Sequence, residues 1–149
     1  MNENRSLILS DLNGSLWFRQ FLNVANERAC FASCACAFKI VGTKAISIKI
    51  TDHFTCTSAN VIYCITCTLC KKLYIGETGR RLGDTFRKHL WDDKNASKPV
   101  ARHFNLPNHS KEDIVVCGLS LHQGSTESRK TLEQNFIFQI GTINPHGIN

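Results

Sequence analysis

At 149 residues, with 42% hydrophobic and 20% charged side chains, the chain can build one cored domain plus an appendage, and a wholly disordered or fibrous protein is excluded. Its 18 Lys and Arg against 12 Asp and Glu leave a net charge of +6, which favours a polyanionic partner without identifying one. No run approaches the roughly 20 apolar residues of a membrane helix, and MNENRSLILS lacks the basic start and apolar core of a secretory signal, so an unexported chain with reduced cysteines is expected.

In chain order, Leu16, Trp17, Phe18, Phe21, Leu22 and Val24 suggest a helix over 15–27, and the Cys, Ala and Gly-rich stretch 30–45 reads as an irregular linker. AISIK at 45–49 alternates and suits a strand. Asn60 to Cys67 (NVIYCITC) is a stronger strand, because Val, Ile, Tyr and Thr fit a pleated, half-buried surface. A compact turn from Cys67 to Lys72 then leads to a third strand, KLYIGET, ending near Gly76. Together these make an antiparallel hairpin with Tyr63 and Tyr74 on its two arms.

Leu82, Phe86, His89 and Leu90 recur at helical spacing, which predicts a helix from Leu82 to Trp91. A polar loop, DKNASKP, precedes a short helical segment in VARHFNLPNH that Pro107 and Asn108 terminate. DIVVCGLSL reads as a strand. The last helix starts at a Ser125 or Thr126 cap and carries Leu132, Phe136, Ile137 and Ile140 on one face. The expected layout is α+β, a small three-stranded antiparallel sheet flanked by helices over 60–149, preceded by an N-terminal segment or linker over 1–59.

Eight cysteines in a reducing setting point to metal more than to disulfides. Cys67 and Cys70 form a CxxC turn, and His103 and His109 follow. Four N and S ligands suit tetrahedral Zn²⁺ in a structural role, tethering the hairpin to the segment after the first helix. Cys64 and Cys117 lie on strands and read as packing residues, and Cys30, Cys34, Cys36 and Cys56 are too irregularly spaced for a good second site. His53, His122 and His146 read as surface residues.

Two tyrosines 11 positions apart, in VIY at 61–63 and LYIG at 73–76, are followed by helices bearing His89 and Glu133 and by a terminal Asn149. This pattern resembles the GIY-YIG nuclease superfamily, with Val61 in place of the first glycine. VIYCITCTLCKKLYIGETGR at 61–80, KPVARHFNLPNH at 98–109 and GTINPHGIN at 141–149 are similar to the endonuclease domain of Penelope-like retroelements, a class with a two-Cys, two-His zinc signature.

The resemblance implies a metal-dependent DNA endonuclease that nicks phosphodiester bonds. It places Tyr63, Tyr74, His89, Glu133 and Asn149 in the catalytic site, Gly76 as the structural glycine, and one Mg²⁺ or Mn²⁺ on Glu133, a carboxylate suited to a hard cation. Zn²⁺ would sit on Cys67, Cys70, His103 and His109. DNA is the implied partner, contacted by Arg80, Arg81, Arg87 and Lys88, with Lys71, Lys72 and Arg102 as further basic candidates, and a nuclear location follows from that substrate. The chain departs from the family pattern at Thr85, where an arginine is expected one turn before His89. The missing charge predicts impaired cleavage with DNA binding better preserved, and the alternative is a catalytically inactive, zinc-stabilised DNA-binding remnant.

Overall fold

The computed structural model describes residues 39–41, 47–50, 52–91 and 97–149. The helix expected over 15–27 lies outside the described residues. Within the stretch expected to be irregular, Lys39–Val41 forms strand β1 and pairs antiparallel with β2, Ser47–Lys49.

The main sheet has three strands in the order β4-β3-β5, with β3 at Val61–Cys67, β4 at Leu73–Thr78 and β5 at Ile114–Leu121. Both pairings are antiparallel. This is the three-stranded α+β arrangement expected from the sequence. Strand β3 differs from the half-buried strand expected, since all seven of its residues are buried. As the central strand it is covered on both faces, so alternation of polar and apolar positions is not required of it.

Helix α1 runs Leu82–Trp91, α2 runs Pro99–Phe104, and α3 runs Thr126–Ile140. Leu82 and Phe86 of α1, Val100 and Phe104 of α2, and Ile137 and Ile140 of α3 join Ile62, Ile65 and Ile75 of the sheet in one core. Burying an Ile or Phe of this kind contributes about 1.5–3 kcal/mol. Ser125 caps α3, its hydroxyl accepting from Ser128 N at 3.1 Å. Gly141 ends the helix in the left-handed conformation (φ 75°), where a glycine carries no Cβ penalty.

The packed unit reaches back before residue 60. Ile50, Phe54 and Cys56 are buried in the same core, and Asp52 Oδ2 accepts from Leu121 N at 2.8 Å. The start of α1 is anchored there too, with Leu82 N donating to Ser58 O and Gly83 N to Cys56 O. Cys56 is disulfide-bonded, contrary to the expectation of reduced cysteines, whereas Cys64, Cys67, Cys70 and Cys117 are free.

The C-terminal residues finish the sheet. Ile148 N donates to Leu73 O at 2.8 Å, and the Asn149 side chain pairs with both backbone polar groups of Ile75. Together they cover the outer edge of β4, which would otherwise offer unpaired amides and carbonyls.

Candidate active site and metal centre

The β3–β4 register sets Tyr63 opposite Gly76 and Ile65 opposite Tyr74, so the two tyrosines are diagonal neighbours on one sheet face. Their ring centroids lie 6.4 Å apart. His89 of α1 closes the triangle, 5.9 Å from Tyr63 and 6.0 Å from Tyr74, and its Nε2 shares a 2.8 Å hydrogen bond with Tyr63 Oη. Gly76 is required by this packing. A Cβ there would stand 2.5 Å from Tyr63 Cζ and Oη and 2.9 Å from Tyr74 Cε1.

Burial pushes the Tyr63 phenol far above the ordinary tyrosine range, and the charges of Tyr74, Glu133 and Glu77 add to the effect. Tyr74 is raised for the same reasons, burial first, then Glu133 and Glu77. With the phenol protonated and donating, His89 Nε2 is the acceptor of their hydrogen bond. Burial also raises the half-buried Glu133 carboxyl, and Glu77 adds repulsion. Tyr63, Tyr74 and Glu133 therefore feel one another electrostatically, although they come from three separate elements.

Asn149, expected among the catalytic residues, is engaged elsewhere. Its Oδ1 accepts from Ile75 N at 2.8 Å and from Thr142 Oγ1 at 2.6 Å, while Nδ2 donates to Ile75 O at 2.7 Å. These bonds occupy the amide on the strand that carries Tyr74 and Gly76, so Asn149 positions that strand.

Beside Tyr63 and His89 opens a cavity of about 340 Å³, large enough for a small ligand group. Of the four basic residues expected to contact DNA, Arg80 and Lys88 line it and Arg81 and Arg87 do not. Thr85 is in its wall, its hydroxyl sharing a 2.7 Å hydrogen bond with that of Thr78. Lys71 and Arg102 are exposed, each next in sequence to a residue of the metal cluster.

Two charged residues that sequence reasoning passed over frame the site. Arg129 of α3 is buried, and its Nε lies 2.5 Å from Glu77 Oε2 while Nη1 donates to Asn60 Oδ1 at 3.1 Å. Gly79 leaves room for it, since a Cβ there would meet Arg129 Nη2 at 3.0 Å. Arg129 precedes Glu133 by four residues and so shares its helix face. That spacing was the available signal, but nothing in it marks the arginine as buried.

The second centre joins three segments. Cys67 ends β3, Cys70 follows in the turn, His103 lies on α2 and His109 in the loop after it, with their ligand atoms all within 4.8 Å of one another. The edge of a zinc tetrahedron, from Zn–S and Zn–N bond lengths, is about 3.3–3.8 Å, so a modest contraction would suffice. This cluster could hold a metal ion such as zinc.

Local structure serves that geometry. Lys71 adopts a left-handed conformation (φ 64°), and Lys71 N donates to Cys67 O and Cys67 N to Lys72 O, curling the turn so that both sulfurs converge. His109 Nδ1 bonds Pro107 O at 3.1 Å, which assigns the proton to Nδ1 and leaves the Nε2 lone pair facing the sulfurs. That Nε2 is shut off from solvent without a well-aligned hydrogen bond. Such an orphaned ring nitrogen is what a metal ligand looks like before its ion is counted.

The electrostatics favour the ligand form at Cys70 and His103 and oppose it at Cys67, whose thiol burial raises, and at His109, whose imidazole the Cys70 side chain raises. Burial opposes ionisation of Cys70, but the His109 side chain and the Lys72 amide outweigh it and hold the thiol below its ordinary range. The Cys70 side chain and the Pro107 carbonyl in turn raise His109. His103 Nε2 lies 3.3 Å from Cys70 Sγ, and burial lowers its pKa, with the His109 and Lys72 charges adding to this. A neutral imidazole and a thiolate are the ligand forms a metal needs.

Cys64 and Cys117 face each other across β3 and β5, Cys64 buried and Cys117 half-buried, as the packing assignment expected. His53 and His146 are exposed, and His122 bonds Ser128 Oγ at 2.7 Å. No protein-family model matches the chain, and no curated protein or solved structure matches it.

Proposed function

We propose that this chain is a metal-dependent DNA endonuclease of the GIY-YIG type and of retroelement origin, with a structural zinc on Cys67, Cys70, His103 and His109. The observation that carries the reading is the convergence of Tyr63, Tyr74 and His89 over Gly76, within the electrostatic reach of Glu133. Of the residues that suggested the family in sequence, Tyr63, Tyr74, Gly76 and His89 pack together, and Glu133 acts on the two tyrosines through its charge.

Hydrolysis needs a nucleophilic water, a proton acceptor and charge stabilisation at the phosphate. A Mg²⁺ or Mn²⁺ held by Glu133 would supply Lewis-acid activation of the phosphate. Tyr63 then takes a proton from the attacking water as it passes its own to His89 Nε2 along their hydrogen bond. The water oxygen bonds to phosphorus as the bond to the leaving oxygen breaks, the leaving oxygen takes its proton from solvent, and Tyr74 packs edge-on against His89.

One observation favours the second reading, a DNA-binding remnant that does not turn over. The Thr85 hydroxyl is tied to Thr78 and offers no cation to the developing charge. A single oxyanion donor is worth about 10²–10³ in rate, so its loss is enough to silence a modest enzyme.

Nicking of supercoiled plasmid by the zinc-loaded protein with Mg²⁺ or Mn²⁺, beside Glu133→Ala and Thr85→Arg, separates the two. Cutting that disappears in Glu133→Ala supports the enzyme. Cutting only in Thr85→Arg marks the remnant. No cutting and no binding by any variant rejects both.

A further inference from the structure

Among the described residues four cysteines are free, and they differ in access. Cys64 and Cys117 face each other inside the β3–β5 ladder, Cys64 wholly buried and Cys117 half-buried. Cys67 is buried at the end of β3. Cys70 alone of the four is exposed. Thr68, Leu69 and Lys71 are exposed with it, Leu69 by 51%, so the tip of the β3–β4 turn stands in solvent. The metal cluster therefore has a closed side, with Cys67 and His103, and an open side at Cys70.

The two cluster sulfurs are close enough to join. Lys71 N donates to Cys67 O and Cys67 N to Lys72 O, which folds the turn back on itself, and the ligand atoms of the cluster lie within 4.8 Å of one another. A disulfide is about 2.05 Å long, so each sulfur travels at most about 1.4 Å to form one. On a bound metal both sulfurs are thiolates, the form that attacks an oxidant. A solvent-reached thiolate with a second cysteine beside it is the arrangement in which oxidation ends at a disulfide. Burial shields Cys67 until Cys70 has reacted.

We propose that Cys70 is a peroxide-oxidation site and Cys67 its resolving partner, so that oxidation releases the metal from the cluster. The Cys70 thiolate attacks one oxygen of hydrogen peroxide, the O–O bond breaks, and hydroxide departs, leaving a sulfenic acid on Cys70. The Cys67 thiolate then attacks the Cys70 sulfur, the S–S bond forms, and a second hydroxide departs. In sum each sulfur gives up one electron and each peroxide oxygen gains one, and the two hydroxides balance the charge of the released Zn²⁺. His103 and His109 that remain are only half of the four-ligand set zinc takes. Release unties β3 and its turn from α2 and the loop after it. The inference rests on the zinc reading of the cluster above, and neither on DNA binding nor on cleavage.

The test is treatment of the full zinc-loaded chain with hydrogen peroxide, read by a chromogenic zinc indicator, a thiol count and mass mapping of disulfides. One zinc should leave per chain as two thiols disappear, the new disulfide should map to Cys67 and Cys70, and a dithiol reductant with added Zn²⁺ should restore the starting state. Cys70→His keeps a fourth ligand but removes the reacting thiol, so peroxide should leave its zinc in place. Cys117→Ala removes a thiol outside the cluster and should release zinc as the wild type does. A wild type that keeps its zinc through the exposure, or loses it without a Cys67–Cys70 bond, overturns the inference alone, as does release from Cys70→His at the wild-type rate. If Cys70→His takes up no zinc, the wild-type mapping decides. A wild type that binds no zinc before oxidation overturns the zinc reading and the inference with it.

Discussion

Replacing Gly76 with alanine tests the central packing of the site. The new Cβ would stand 2.5 Å from Tyr63 Cζ and Oη, against the about 3.5–4.0 Å of ordinary contacts, so the ring tip must retreat by about 1–1.5 Å. Tyr63 is buried and cannot retreat into solvent. The 2.8 Å bond to His89 would then stretch past the about 3.5 Å limit of a hydrogen bond. Overpacking costs about 1–3 kcal/mol and the lost bond about 0.5–1.5, which for a chain of this size lowers Tm by roughly 3–18 °C. Displacing a catalytic group by about 1 Å costs about 10²-fold in rate, so plasmid nicking should fall by that factor. A Gly76→Ala protein that melts and cuts like wild type would refute the packing argument.

The Cys67, Cys70, His103 and His109 cluster predicts one zinc per chain by release assay, and chelation should lower Tm strongly, because a metal there would join β3, the following turn, α2 and the loop after it; Cys70→Ser and His103→Ala should retain far less metal, and affinity should fall as pH drops and protons compete for the ligands. Arg129→Met strips a buried partner from Glu77 and should cost about 3 kcal/mol, toward the low end for a broken buried pair because Glu77 keeps 19% side-chain exposure; adding Glu77→Gln should recover most of it in a melt. Glu133 has its folded pKa raised above the unfolded value of about 4.3, so its contribution to stability is present below that pH and is lost as pH rises through the folded pKa. Glu133→Gln should therefore raise Tm at neutral pH without divalent metal, and the order should reverse when Mn²⁺ is added. Thr85→Arg should raise nicking by about 10²-fold, read on supercoiled plasmid.

Much of the core unit was legible in the chain. Val, Ile, Tyr and Thr over 60–67 and the helical spacing of Leu82, Phe86 and His89 reported their elements, because side-chain period follows backbone period. The CxxC turn and two later histidines named the metal cluster, since ligand type and short spacing are local properties. The candidate active-site residues were legible only through the resemblance. Burial of both faces of β3, the reach of the core back to Ile50, and the strand at Lys39–Val41 were not legible, because each depends on what packs or pairs from a distant segment.

Sequence by itself determined which side chains were available: two tyrosines, a helix histidine, a helix glutamate, a two-Cys, two-His set and a net positive charge. Tertiary structure decided their use. It bonded the Asn149 amide to Ile75, buried Arg129 against Glu77, set Arg81 and Arg87 outside the cavity, and brought Lys98 into it. The physical reason is that charge and hydrogen-bonding capacity belong to a residue, but the dielectric and the partners that give them a function belong to the place where the fold puts it.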